Sequence, residues 1–204
     1  MRLMPCADSG LLVELGDMDE VLALYATLDE DLPEGVVDMV PAASTLLLTI
    51  DRSRTDVETL SRRVAATEVG SHERPTTGEV EIPVVYDGED LAEVARLTGL
   101  DERGVIEAHT GTPWTVAFCG FAPGFGYMVG GDERIQVPRR DNPRTKVPPG
   151  SVALAGEFAS VYPRESPGGW QLIGRTSLEV WDIGREPPAL LVPGTTVRYV
   201  EVTS

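Results

Sequence analysis

The chain has 204 residues, 42% of them apolar, and a formal net charge of −16. That is enough apolar material for one large or two small folded domains, and it excludes wholesale disorder. The negative charge argues against nucleic acid or an anionic membrane surface as partner, since both need clustered cations. Two cysteines and two histidines are too few for a disulfide framework or a structural zinc site, so no metal is expected.

In chain order, MRLMPC (1–6) and LLVEL (11–15) read as short strands. Residues 17–32 read as a helix: Asp17 caps it, Glu20 follows three residues on, and Val21, Leu24, Tyr25 and Leu28 form one apolar stripe. VVDMVP (36–41) and STLLLTI (44–50) read as strands, and 55–67 as a second helix with Val57, Leu60, Val64 and Ala65 on one face. Strands and two helices within about 70 residues predict a small α+β domain over 1–70. Residues 68–78 are polar, carry Pro and Gly and lack apolar period; they read as a linker, with His72 an exposed loop histidine.

Residues 79–87 alternate like a strand, and 90–99 and 101–111 read as two short helices, each closed by a glycine. Beyond them the texture changes. Residues 111–204 hold 11 of the 16 prolines and 13 of the 21 glycines. Short apolar strands recur there: TVAFCG, SVALAG, ASVYP, GWQLIG, LEVWD and TTVRYVEV. Short strands between Gly/Pro turns predict a β-barrel or sandwich over 79–204. The charge divides as the texture does: 1–110 carry the whole net −16 and 111–204 are neutral. The opening residues do not read as a signal peptide, because Asp8 and Glu14 interrupt any apolar stretch, and no run reaches the ~20 apolar residues of a membrane span. A cytoplasmic protein is expected.

Three segments carry possible chemistry. FCGFAPGFGYM (118–128) is dense in glycine but lacks the lysine of a phosphate loop; its glycines miss the dinucleotide spacing by one residue, and no helix pattern follows. Its aromatics, among them Phe121, Phe125 and Tyr127, suggest a tight loop that folds back onto an apolar surface and can line a cleft. RIQVPRRDNPRTKVPPGS (134–151) places Arg134, Arg139, Arg140, Arg144 and Lys146 within thirteen residues, and Lys146 is the only lysine. Four prolines stiffen the stretch, which either holds guanidinium forks for carboxylate or phosphate or is a solvated basic loop. In YPRESPGGWQLIGRT (162–176), Gln171 and Arg175 share parity and so are expected on one face of a strand.

Taken in order, GFAPGFGYM, PRRDNPRTKVPPGSV and VYPRESPGGWQLIGRT resemble the hallmarks of PxpB, the family of 5-oxoprolinase B subunits. That family also takes in the kinase inhibitor KipI and proteins labelled allophanate hydrolase subunit 1. The chain departs from the pattern at Gly126, where proline is usual, and at Pro149, where alanine is usual. The resemblance implies an α+β fold: a small N-terminal α+β domain followed by a cyclophilin-like β-barrel. It implies a non-autonomous subunit of an ATP-dependent hydrolase that works with a C subunit of related barrel fold and an A subunit to convert 5-oxoproline to glutamate.

On that resemblance the barrel cleft is lined by the 120–128 loop and the 139–146 segment. Lys146 and Arg140 are then the expected catalytic cations, stabilising developing charge. His109 is either an acid/base group or a helix-end histidine satisfied by backbone. Arg139, Arg144, Gln171, Arg175, Phe121, Phe125 and Tyr127 are the expected substrate-binding residues. The alternatives are a KipI-like inhibitor of a sensor histidine kinase, or a subunit associated with urea carboxylase or allophanate hydrolase. An independent serine amidase is not expected, because the chain has neither a GGSSGG-like run nor a GxSxG elbow.

Overall fold

The computed structural model describes residues 1–68 and 78–203. His72, and all of the expected linker but its two end residues, lie outside the described residues. The chain divides into two compact units, Met1–Arg74 and Pro75–Ser204.

All six elements expected in the first unit form: β1 (Arg2–Cys6), β2 (Gly10–Glu14), α1 (Met18–Glu30), β3 (Val36–Pro41), β4 (Thr45–Ile50) and α2 (Val57–Ala65). The strands make one antiparallel sheet in the order β1-β2-β4-β3. Asp17 caps α1 by accepting from the Glu20 amide at 2.9 Å, and the Glu20 carboxylate accepts from the Gly16 amide. Asp56 caps α2 in the same way through the Thr59 amide. Alternate sheet residues Leu11, Val13, Leu46 and Leu48 meet the helix stripes Val21, Leu24, Leu28 and Leu60, Val64 in one buried core. Each such side chain contributes roughly 1.5–3 kcal/mol by leaving water. Ala65, expected on the buried face, is exposed.

The second unit starts with β5 (Gly78–Val84), α3 (Leu91–Thr98) and α4 (Glu102–Gly111). It continues as β6 (Trp114–Cys119), β7 (Gly126–Val129), β8 (Arg144–Val147), β9 (Ser151–Ala155), β10 (Phe158–Val161), β11 (Ser166–Gly168), β12 (Gln171–Arg175) and β13 (Thr195–Glu201). Seven strands form a curled half-barrel sheet in the order β12-β9-β10-β7-β6-β13-β5, while β8 and β11 pair separately. The fold is α+β, with four α-helices among the described residues. Among the described residues only β13 and β5 run parallel, in an unbroken register from Thr195–Gly78 to Glu201–Val84. The main core joins residues of α3 and α4 to the sheet, including Val94, Val105, Val116, Leu154 and Ile173. A second apolar cluster gathers Phe125, Tyr162, Trp170 and Leu172.

Three expectations need correction. LEVWD (178–182) is not a strand; it makes a single bridge, Trp181 with Ala189, inside a loop. The returning chain carries Pro187 and Pro188, which have no N–H to donate, so a ladder cannot extend. Gly99 does end α3 in the left-handed conformation, but Gly111 lies within α4, which stops at Thr112. Thr112 is extended because it precedes Pro113. The strands β7, β8 and β11 go beyond the expected set.

Candidate functional site

The glycine-rich segment joins two antiparallel strands. β6 pairs with β7 from Thr115–Val129 to Cys119–Gly126. The turn between them closes through Gly120 N–H to Phe125 O and Phe125 N–H to Ala122 O, at 3.2 and 3.0 Å. Gly124 has φ +79°, and a Cβ there would lie 2.6 Å from the Trp181 Cβ. Glycine is therefore required by both backbone angle and packing. No helix N-terminus follows, so the geometry of a dinucleotide loop is absent.

The turn delivers aromatic rings. Phe125, almost wholly buried, makes edge-to-face contacts with Phe121, Tyr127, Tyr162 and Trp170, with centroids 5.1–5.4 Å apart. Tyr127 stacks on Phe118 at 4.4 Å and meets Phe158 and Trp170 edge-on, both at 5.6 Å. Such pairs add to burial by matching ring faces to ring edges. Phe121 stands at the end of this cluster, 58% exposed and itself in the left-handed region at φ +66°. A bulky residue there is strained, a state found where the surrounding structure over-determines a backbone position.

The basic segment is mostly neutralised. Arg134 pairs with Asp132, and Lys146 reaches Glu165 at 3.1 Å with its side chain 74% exposed. Arg140 and Arg144 converge on Asp90, which is 2% exposed. Arg144 Nη2 donates to Asp90 Oδ1 at 2.9 Å and to Glu89 at 3.0 Å. Its Nη1 lies 2.8 Å from Asp90 Oδ2 but off the hydrogen-bond direction. Asp90 Oδ2 also accepts from the Leu172 amide at 2.7 Å. Burial pushes the Asp90 carboxyl up; the hydrogen bonds from Arg144 and Leu172 and the two guanidinium charges overcome this and hold it below the usual range. Asp90 sits at the start of α3 yet does not cap it, because its carboxylate is turned to the arginines. The loop comes close enough to do this because of Gly88: a Cβ there would lie 2.3 Å from Leu172 O.

Arg139 differs from its neighbours. Among the described residues it has no carboxylate or hydrogen-bond partner. Its charge acts on the Tyr127 and Tyr162 hydroxyls, opposing the upward push that burial gives both. An exposed, uncommitted guanidinium thus lies within electrostatic reach of two tyrosines of the aromatic cluster.

Gln171 and Arg175 do not share a face. β12 pairs with β9 as Gln171–Leu154 and Leu172–Ala153, then skips to Gly174–Val152 and Arg175–Ser151. The bulge inserts one residue and reverses parity beyond it. Gln171 is buried, and its Nε2 donates to Pro138 O at 3.1 Å while its Oε1 has no partner. Arg175 is exposed and paired with Asp87 at 2.8 Å.

His109 lies apart, in the helix-covered core. It is fully buried, its Nδ1 is 2.7 Å from the Tyr86 hydroxyl, and its ring packs on Tyr199 at 4.1 Å. Burial depresses its pKa to about 3, so the ring is neutral, and Nε2 has no partner. Its backbone carbonyl accepts from Trp114 Nε1.

Sequence reasoning missed Asp90 and Glu89, which read as a helix start, and Glu165. It also missed the rings of Phe118, Phe158, Tyr162 and Trp170 as parts of the cluster. Among the described residues no group of three or more His, Cys, Asp or Glu is placed to hold a metal ion, and no helix is long and apolar enough to cross a membrane.

Residues 1–191 match the family described as carboxyltransferase domain, subdomain C and D. The chain is 40% identical to the B subunit of 5-oxoprolinase from Escherichia coli O157:H7, over 83% of this chain and 79% of that one. It is 35% identical to the B subunit of 5-oxoprolinase from Bacillus subtilis (strain 168), over 96% and 90%. Among solved structures, TTHA0988 matches with a TM-score of 0.79 and 36% identity over 97% of this chain, which spans only 40% of that longer chain. The Kluyveromyces lactis urea carboxylase shares the fold, with a TM-score of 0.78 and 19% identity over 98% of this chain and 22% of that one.

Proposed function

Because the chain belongs to the family of 5-oxoprolinase B subunits, we propose that it serves as that component of an ATP-dependent 5-oxoprolinase that converts 5-oxoproline to glutamate. The observation that carries this reading is identity of 35–40% to two proteins of that name, over 79% or more of both chains in each case. The partners are a C subunit of related barrel fold and an A subunit, and the complex works in the cytoplasm. The urea carboxylase likeness, at 19% identity, speaks for fold alone.

The substrate has a flat lactam ring and one carboxylate. The aromatic cluster offers ring faces and edges for the first, and Arg139 offers a fork for the second. Arg140 and Arg144 are already matched to Asp90 and Glu89, so they shape the site instead of carrying free positive charge. Tyr127 keeps its proton at neutral pH, since burial raises its pKa, and its half-buried hydroxyl remains available to donate, whereas Tyr162 is buried. The residues present do not fit a triphosphate: the glycine turn joins two strands, and Arg140, Arg144 and Lys146 of the basic segment are already paired with carboxylates. ATP use therefore belongs to the assembled complex, and the isolated chain hydrolyses neither 5-oxoproline nor ATP.

The test is ATP-dependent loss of 5-oxoproline, measured with this chain alone and after co-expression with C and A subunits. Activity is expected only in the complex, and Arg139→Ala is expected to raise KM for 5-oxoproline at least about tenfold, the loss of one charge-assisted pair. Turnover by the pure chain, or an Arg139→Ala complex with unchanged KM, overturns the reading.

A further inference from the structure

Arg139 is flanked by fixed points. On its N-terminal side, the carbonyl of Pro138 accepts from Gln171 Nε2 at 3.1 Å, and Gln171 is 3% exposed. On its C-terminal side, the amide of Arg140 donates to Gly169 O at 2.7 Å, and the Arg140 side chain is gripped by Asp90. Asp90 is itself anchored to β12, donating its own amide to Leu172 O at 2.9 Å and accepting from the Leu172 amide. Arg144, five residues beyond Arg139, returns to the same carboxylate.

The stretch needs such anchoring from outside. Residues 138–143 form no regular secondary structure, and Pro138 and Pro143 remove two amide donors. Its conformation rests on contacts made by side chains distant in sequence. The carboxylate of Asp90 would ordinarily serve α3 as a cap, but here it goes to two arginines 50 and 54 residues away. Gln171 makes its one hydrogen bond to a backbone carbonyl next to Arg139, and its Oε1 has no partner. Neither side chain is exposed enough to meet a substrate directly.

We infer that Asp90 and Gln171 are positioning residues for Arg139. Asp90, through Arg140, and Gln171, through the Pro138 carbonyl, clamp the backbone on either side, so that the free side chain of Arg139 extends from a fixed point before substrate arrives. Preorganisation of this kind removes the cost of ordering the irregular backbone from which the side chain extends, leaving only the side chain to be ordered at the moment of binding. The inference rests on the reading of Arg139 as the carboxylate-binding residue. It assigns the buried pair a role in affinity, distinct from direct contact and from turnover.

The experiment is a double-mutant cycle in the co-expressed complex, reading kcat and the KM values for 5-oxoproline and ATP. The variants are Arg139→Ala, Asp90→Asn, Gln171→Met, and each of the last two combined with Arg139→Ala. Asp90→Asn keeps the shape and removes the charge; Gln171→Met keeps the volume and removes the donor. Each alone is expected to raise KM for 5-oxoproline about three- to tenfold, with kcat and KM for ATP within about twofold of wild type. In the Arg139→Ala background neither adds a further rise, because the side chain it positions is gone. If Asp90→Asn does not fold, Gln171→Met carries the test by itself.

If Arg139→Ala leaves KM unchanged, the functional reading fails and the positioning role falls with it. If Arg139→Ala raises KM but the positioning variants do not, the inference alone is overturned. It is likewise overturned if their effects multiply with that of Arg139→Ala, or if kcat and both KM values move together, since a general loss of structure does that.

Discussion

The second unit buries His109 and Asp90 and resolves the cost of burying an ionisable group in opposite ways. His109 has no charged partner; it gives up its charge, makes one neutral contact with Tyr86 and packs among aromatic rings. Asp90 keeps its charge, because two guanidiniums and a backbone amide surround it. A buried ionisable group must either neutralise or be paired. The difference teaches where binding chemistry can sit. The neutral centre is sealed inside the core, whereas the ionised one borders the segment that carries the free guanidinium of Arg139.

The sharpest way to break the comparison is to remove the charge that holds two others. Asp90→Ala leaves Arg140 and Arg144 without their shared partner and is expected to lower stability by about 4 kcal/mol, typical of breaking a buried pair from one side. Replacing all three residues by apolar ones (Asp90→Leu, Arg140→Met, Arg144→Met) is expected to cost less than Asp90→Ala alone. Urea unfolding of the full chain measures both. A triple variant less stable than the single one means that the cluster is net stabilising and that the expectation fails.

The neutral centre answers to pH. The ordinary histidine pKa is about 6.5 and that of His109 in the folded chain is about 3. Above pH 6.5 both states are neutral and the contribution is complete. As pH falls, the unfolded chain binds a proton that the folded chain refuses, so stability declines from pH 6.5 down through the folded pKa. Between pH 6.5 and 4 the loss is about 3 kcal/mol. The contribution of Asp90 persists over that range and fades only below the ordinary carboxylate pKa, since its own value is lowered. Unfolding curves at pH 7.5, 5.5 and 4 are expected to show the slope in wild type and lose it in His109→Gln. A slope that survives the substitution places the acid sensitivity elsewhere.

Much of this architecture is legible in the chain. The first unit reads correctly because its strands alternate cleanly and Asp17 and Glu20 mark a helix start. The barrel half reads less well, for identifiable reasons. Seven aromatic and glycine positions in 118–128 disguise a hairpin as a loop. The bulge in β12 cannot be seen as a spacing, so counting parity from Gln171 to Arg175 errs by one residue, with consequences for a whole face. The basic segment draws attention to five cations, but which of them is free depends on carboxylates up to 55 residues away. An aspartate before LAEVARLT carries the signal of a cap and nothing more; its second role exists only in the folded chain.

A smaller effect sharpens the neutral side. Tyr86→Phe removes the partner of His109 Nδ1 while keeping the ring that meets it edge-on at 5.8 Å. It is expected to cost about 1–2 kcal/mol for the unpaired buried nitrogen, and to leave turnover of the complex unchanged. A fall in activity without a matching fall in stability would connect the sealed core to the site.

The smallest expected effect belongs to Lys146. As the only lysine, and one within a hallmark motif, it stands out in the sequence as a catalytic candidate, a compact charge that an arginine cannot replace. In the folded chain it stands in solvent beside Glu165. An exposed pair of this kind contributes little to stability, so Lys146→Ala is expected to shift Tm by less than about 2 °C. That near-silence makes the variant a clean probe of chemistry, because any loss of turnover cannot be blamed on folding. With Arg139 as the substrate-facing cation, Lys146→Ala and Lys146→Arg are both expected to keep turnover of the complex within about twofold. A loss beyond tenfold in the alanine variant, unrescued by arginine, would put a point-charge role at Lys146 after all. It would move the reacting face from the aromatic edge to the solvent side of β8, where a partner protein would have to cover it.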